Sequence, residues 1–170
     1  LGVPTSAKYN GTIERVARAL RPLSTAPSDD ILVLFRRALF AWCIGDGDMH
    51  LKNLALLKTS KPGSLGFDTV HMAPLYDAVT TRVFPHLAGD RMALTINGKD
   101  DRLDRADFMS LAATIGIRTA DASRAIDDLT AALRTELDRL TFPAIVGESP
   151  MIDRATAMRD VIGDRVGTLA

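Results

Sequence analysis

The run "ILVLFRRALFAWCI", residues 31 to 44, leaves this chain few ways to fold. Ile31, Phe35, Ala38 and Trp42 fall on one helical stripe, with Leu32, Leu39 and Cys43 beside it. A helix this apolar on most sides has no solvent face to offer, so other elements must cover it and it becomes the centre of the fold. After the loop "STAPS", Ser28 or Asp29 is the expected N-cap, and the helix should run to about Ile44.

The remaining segments supply the cover. "TIERVARAL" (12 to 20) has helical spacing and should stop at Arg21-Pro22, because proline cannot continue a helix and restricts the residue before it. Residues 54 to 59 and 65 to 70 flank "KPGS", whose Pro-Gly pair signals a turn, and they read as a β-hairpin. An irregular stretch with Pro74 and Pro85 follows, then a short candidate strand "MALTI" (92 to 96) ahead of the turn "NGKDD". Phe108, Leu111, Ala112 and Ile115 form a helical stripe ending at Gly116, and Ala122, Ile126, Leu129, Leu133, Leu137 and Leu140 form a longer one. Ser149-Pro150 should open a last helix with Met151, Ala155, Met158 and Ile162 facing inward. The sum is a mainly α fold with one small hairpin.

At 170 residues the chain is long enough for one domain, 1 to 170, burying roughly two-thirds of its unfolded surface. Lys plus Arg and Asp plus Glu both number 21, so no global field recruits nucleic acid or an anionic membrane. The single cysteine, Cys43, excludes an internal disulfide and a Cys-rich zinc site, and its apolar setting reads as an inert thiol of a cytoplasmic protein. No apolar segment reaches the roughly 18–20 residues of a membrane span, and the N-terminus lacks a signal-peptide pattern. Leu1 stands where an initiator Met would be, which reads as a piece of a longer protein.

Between the central helix and the hairpin lies "GDGDMHLKNLALL", residues 45 to 57, which packs Asp46, Asp48, His50, Lys52 and Asn53 into a short polar loop. A core helix delivers the chain to one place and a core hairpin carries it away, so the loop between them is held rigidly, as a site needs. Asp48 and Asn53 are five residues apart, the separation of the base Asp and metal-binding Asn in the protein-kinase catalytic loop. In that chemistry the Asp accepts or orients the proton of the attacking hydroxyl, and the Asn oxygen offers a hard neutral ligand to Mg²⁺. An anionic metal ligand is still required, and "PLYDAV" places Asp77 just beyond the hairpin.

Three separated segments, "LGVPTSAKYNG", "DMHLKN" and "PLYD", together resemble the C-terminal domain of the HipA-like serine/threonine kinases, bacterial toxins of toxin–antitoxin pairs. The resemblance spans most of residues 1 to 100 and implies a kinase-like C-terminal lobe of helices with the hairpin next to the catalytic loop. It implies Asp48 as catalytic base, Asn53 and Asp77 as Mg²⁺ ligands, and His50, Lys52 and Tyr76 lining the nucleotide and phosphate side. It also implies ATP and Mg²⁺ as cofactors, a protein substrate with a tRNA synthetase as one candidate, and an antitoxin partner bearing a helix-turn-helix. A complete member carries an N-terminal nucleotide-clamping part with a phosphate loop, a lysine and an adenine hinge. No segment here supplies these, so the expectation is a lobe that folds but is inactive alone.

Plainer readings stand beside these. Asp46 fits a turn residue accepting N–H groups in "GDGD". Asp46, Asp48 and His50 could form a metal cluster, although calcium loops want more carboxylates and zinc hydrolases more histidines. His50 is either a structural hydrogen-bonder or a phosphate contact, Lys52 a solvated charge or a phosphate-facing cation, and Tyr76 a packing residue or a nucleotide contact. His71, His86 and Trp42 read as core or surface residues. At the level of function, lipid and small-molecule kinases share the loop spacing, and an inactive scaffold that docks an antitoxin is the non-enzymatic alternative.

Overall fold

The structure is a computed structural model, described here for residues 7–140 and 149–170, with the side chains of 149–153 left aside. Its described helices are α1 (Ile13–Leu20), α2 (Pro27–Ile44), α3 (Arg105–Ile115), α4 (Thr119–Leu137) and α5 (Ser149–Gly167). The strands β1 (Leu56–Thr59) and β2 (Thr69–Met72) form one antiparallel hairpin, with Leu56 opposite Met72 and Thr59 opposite Thr69. The mainly α class with a small hairpin is therefore what the chain adopts.

The apolar run dictates the architecture. α2 contacts α1, α3, α4, α5 and β2, and Leu34, Phe35, Ala38, Leu39 and Cys43 are fully buried along it. Phe35 meets Phe108 of α3 edge to face, ring centroids 6.1 Å apart, a favoured aromatic geometry. The α3 stripe is buried as its spacing requires, and Gly116 ends the helix in the left-handed conformation (φ 78°) that glycine adopts without a side-chain clash. On α4 only Ala122 and Ile126 of the expected stripe are buried; Leu129, Leu133 and Leu137 are partly covered, and Leu140 lies past the helix end. On α5, Ala155 and Ile162 are buried and Met158 packs partly against the core, while Met151 falls outside the described side chains.

Two local expectations are corrected. α2 starts at Pro27 with Ala26 as N-cap, so neither Ser28 nor Asp29 caps it. Proline is preorganised for the first helical position, and the capping region is served by Ser24, whose hydroxyl accepts from the Ala26 N–H and donates to Asp30. "MALTI" is extended but is not a strand: its only ladder contacts are isolated bridges, Thr12 to Thr95 and Ile96 to Lys99. The alternation is real, since Met92, Leu94 and Ile96 are buried, but among the described residues no neighbouring strand pairs with it.

Buried polar groups on α2 set the hairpin. Asp30, 4% exposed, accepts from the Met72 N–H at 3.0 Å, and the Arg37 guanidinium donates to the Ala73 carbonyl. α2 thus fixes both the loop at its own C-terminus and the return of the chain towards Asp77. The hairpin is shifted slightly from its expected place, the second strand beginning at Thr69.

Candidate active site

Gly45 ends α2 with φ 68°, and its N–H bonds back to the last turn, while the Asp46 N–H reaches the Ala41 carbonyl at 2.9 Å. The chain then turns sharply. Asp46, 3% exposed, accepts the Asp48 N–H through Oδ1 at 2.9 Å, the turn role its position suggested. Burial pushes its carboxyl above the usual range, opposed by N–H groups of Asp48, Val79 and Met49. The buried Thr81 locks the turn from outside: its hydroxyl donates to the Gly45 carbonyl at 3.1 Å and accepts the Gly47 N–H at 3.0 Å. Nothing in the local pattern had singled out Thr81.

Asp48 leaves this turn half-buried beside a cleft of about 580 Å³, lined also by Tyr9, Gly47, Thr81, Asp90 and Arg91. The Tyr9 hydroxyl donates to Asp48 Oδ1 at 2.7 Å, and Lys8 Nζ stands 4.0 Å from the same oxygen. Lys8 also lies over the Tyr9 ring, 4.6 Å from its centroid. A hydrogen bond with Tyr9 and then the nearby charges of Asp48 and Asp77 hold the Lys8 ammonium above its ordinary range, against a desolvation effect of opposite sign. Lys8 and Tyr9 had been visible only as letters of a family phrase.

His50 is buried, with its Nε2 3.9 Å from Asp48 Oδ1 and its ring edge-on to Tyr9 at 5.3 Å. Asn53, 4% exposed, closes the single 3₁₀ turn Leu51–Asn53 and donates through Nδ2 to Asp77 Oδ2 at 2.6 Å. Asp77 itself is exposed and takes the left-handed conformation (φ 55°), uncommon for a residue with a side chain but tolerated by Asp. Tyr76 donates to the Lys52 carbonyl at 2.8 Å, so the segment after the hairpin is stitched to the loop at two adjacent residues. Lys52 is an exposed residue. The structure thus pairs His50 with Asp48 and Asn53 with Asp77, with the hairpin joining the loop to Asp77.

Two buried polar atoms there have no hydrogen-bond partner among the described residues: His50 Nδ1 and Asn53 Oδ1. Buried polar groups are nearly always paired, because leaving one unpaired costs about 1–3 kcal/mol. A third such atom, Arg37 Nη1, lies on α2, but the two in the loop are groups a ligand bound there could pair. An amide oxygen beside a carboxylate is the donor set a hard divalent cation takes, with few protein ligands and room for phosphate oxygens. Among the described residues no three His, Cys, Asp or Glu gather into a metal cluster, so Asp46, Asp48 and His50 do not form one. Trp42 is core and carries the buried Arg165 guanidinium 3.9 Å above its ring, and His71 sits by Asp30 at 3.5 Å. Neither belongs to the site. His86 is exposed in the short turn Pro85–Leu87.

The sequence profile of the HipA-like C-terminal domain matches residues 1–137. The chain belongs to this family. It is 34% identical over 100 residues to the Sinorhizobium fredii protein named "Putative kinase Y4mE", an alignment covering 56% of this chain and 22% of that protein. Its fold matches the structure titled "Shewanella oneidensis MR-1 Toxin Antitoxin System HipA, HipB and its operator DNA complex" with a TM-score of 0.68 at 15% identity, over 99% of this chain and 38% of that one. This HipA-like chain therefore spans less than half the length of either relative. None of its described helices is long and apolar enough to cross a membrane.

Proposed function

We propose that this HipA-like chain is the catalytic lobe of an ATP-dependent protein serine/threonine kinase and that the whole protein is the toxin of a toxin–antitoxin pair. The observation that carries the reading is the buried, unpaired Oδ1 of Asn53 beside the Asp77 carboxylate, in the loop that presents Asp48. Asn53 and Asp77 would hold Mg²⁺, which when bound supplies charge neutralisation at the phosphates of ATP. Asp48 accepts the proton of the acceptor hydroxyl as that oxygen bonds to the γ-phosphorus and the bond to the β–γ bridging oxygen breaks. His50, Lys52 and Tyr76 line the phosphate and nucleotide side, the buried Nδ1 of His50 being the second group left for a ligand.

Phosphoryl transfer is mostly positioning and electrostatics, and the phosphate loop, its lysine and the adenine hinge are assigned to an N-terminal part of the whole protein. The solved HipA relative is described in complex with HipB and operator DNA, which supports an antitoxin as the partner. A tRNA synthetase is carried as a candidate substrate by resemblance alone. The test is a pair of variants in the full-length protein. Asp48→Asn should abolish transfer while Mg²⁺-ATP binding persists, and Asp77→Ala should weaken that binding itself, both read by phosphate transfer and calorimetry. Small and equal effects of the two changes would favour the antitoxin-binding scaffold.

A further inference from the structure

From the strap formed by residues 7 to 11, we infer that Tyr9 is a positioning residue: its hydroxyl holds one oxygen of the Asp48 carboxylate so that the other faces the acceptor. The inference rests on the kinase reading of the site. The strap is seated on the loop by more than this one bond. The Leu51 N–H donates to the Lys8 carbonyl at 3.1 Å, and a Cβ on Gly11 would fall 2.9 Å from the Leu51 side chain, so backbone and loop approach closely there. Just beyond, Ile13 N–H donates to the Thr95 carbonyl at 3.1 Å and anchors the strap to the core. Tyr9 therefore arrives at Asp48 from a backbone tied on both sides.

Its contacts are one-sided. Tyr9 Oη at 2.7 Å, His50 Nε2 at 3.9 Å and Lys8 Nζ at 4.0 Å all address Oδ1 of Asp48. Among the described residues none bonds Oδ2. A carboxylate rotates about its last torsion in a broad, roughly two-fold well, and a base whose free oxygen wanders loses the alignment that transfer needs. Fixing one oxygen fixes the other. Tyr9 is 47% exposed, with its ring against the His50 ring and the Lys8 ammonium, so core packing does not explain its place. With Asp48 it also walls the cleft through which an acceptor segment would approach.

The test is Tyr9→Phe in the full-length protein, which removes the hydroxyl and keeps the ring against His50 and Lys8. A misplacement near 1 Å costs on the order of 100-fold in rate, so kcat for phosphate transfer should fall by roughly 10- to 100-fold. KM for ATP and the thermal midpoint should stay as in the parent. Tyr9→Leu, which also loses the ring, should do no more to kcat than Tyr9→Phe. Parental kcat in Tyr9→Phe, or a loss seen only in Tyr9→Leu, would overturn the inference and leave Tyr9 a packing residue. Asp48→Asn, run alongside, separates the two claims: if it transfers phosphate normally the kinase reading itself fails, whereas a dead Asp48→Asn with a normal Tyr9→Phe sinks only the role of Tyr9.

Discussion

Asn53→Leu separates a structural asparagine from one held for a ligand. If Asn53 were there for the fold, removing it would strand partners and destabilise the chain. The geometry gives a different ledger. Among the described residues the side chain makes one bond, Nδ2 to Asp77 Oδ2, while its buried Oδ1 has no partner. A hydrogen bond to a charged group contributes about 1.5–3 kcal/mol, and the low end applies because Asp77 is exposed and water can take the place of the amide. Against this, the leucine removes an orphaned acceptor whose burial costs about 1–3 kcal/mol. The two nearly cancel, so the 170-residue chain should change by no more than about 1.5 kcal/mol in either direction. At about 2–4 °C per kcal/mol for a chain of this size, the thermal midpoint should move by less than roughly 6 °C. In the full-length protein the same change should nonetheless lower phosphate transfer by on the order of 100-fold or more and weaken Mg²⁺-dependent ATP binding. Circular-dichroism melting and a transfer assay read both arms. A loss above roughly 3 kcal/mol with transfer preserved would show that Asn53 serves the fold, and the metal-ligand reasoning would be wrong.

Other residues give sharper stability tests. Thr81→Val keeps the shape of a buried side chain but leaves the Gly47 N–H without its acceptor; a loss of about 1–2 kcal/mol is expected, with faster hydrogen exchange at Gly47, and unchanged protection there would refute the locking role. Burial pushes the Cys43 thiol up to about 12, so only roughly 10⁻⁴ of it is thiolate at pH 8; alkylation followed by mass spectrometry should be negligible in the native chain and rapid on unfolding. The Asp46 carboxyl is raised above its ordinary value of 3.8 by burial, so between that value and the raised one the unfolded chain has released a proton that the native chain keeps. Stability therefore falls as pH rises through that window. Asp46→Asn retains an acceptor for the Asp48 N–H and should flatten this slope in denaturant titrations taken across acid pH; an unchanged slope would place the titration elsewhere.

Legibility in the sequence followed how locally each feature is written. The stripe Phe108, Leu111, Ala112, Ile115 and the all-round apolarity of residues 31 to 44 repeat within a turn or two, and both predicted the burial that the fold shows. Asp48 and Asn53 lie within one loop, so their spacing could be read directly, and the hairpin turn between them and Asp77 was announced by Pro-Gly. The bonds that complete the site have no period. Tyr9 meets Asp48 across 39 residues, Thr81 meets Gly45 across 36, and Arg37 meets Ala73 across 36; each is a single side chain finding a single distant partner. Such a contact leaves no pattern in one sequence. The capping of α2 escaped for a related reason: Ser28 and Asp29 are both good capping residues, yet Pro27 decides the first helical position by its fixed backbone angle. The legible and illegible parts are nonetheless physically linked. A loop that keeps His50 Nδ1 and Asn53 Oδ1 buried and unpaired carries a penalty of about 1–3 kcal/mol for each, and only a frame with stability to spare can hold it in place. The long apolar helix ahead of the loop is that frame. It is why the polar stretch stands directly against the most apolar run in the chain, and why shortening α2 or polarising its buried face should disorder the loop before it unfolds the rest.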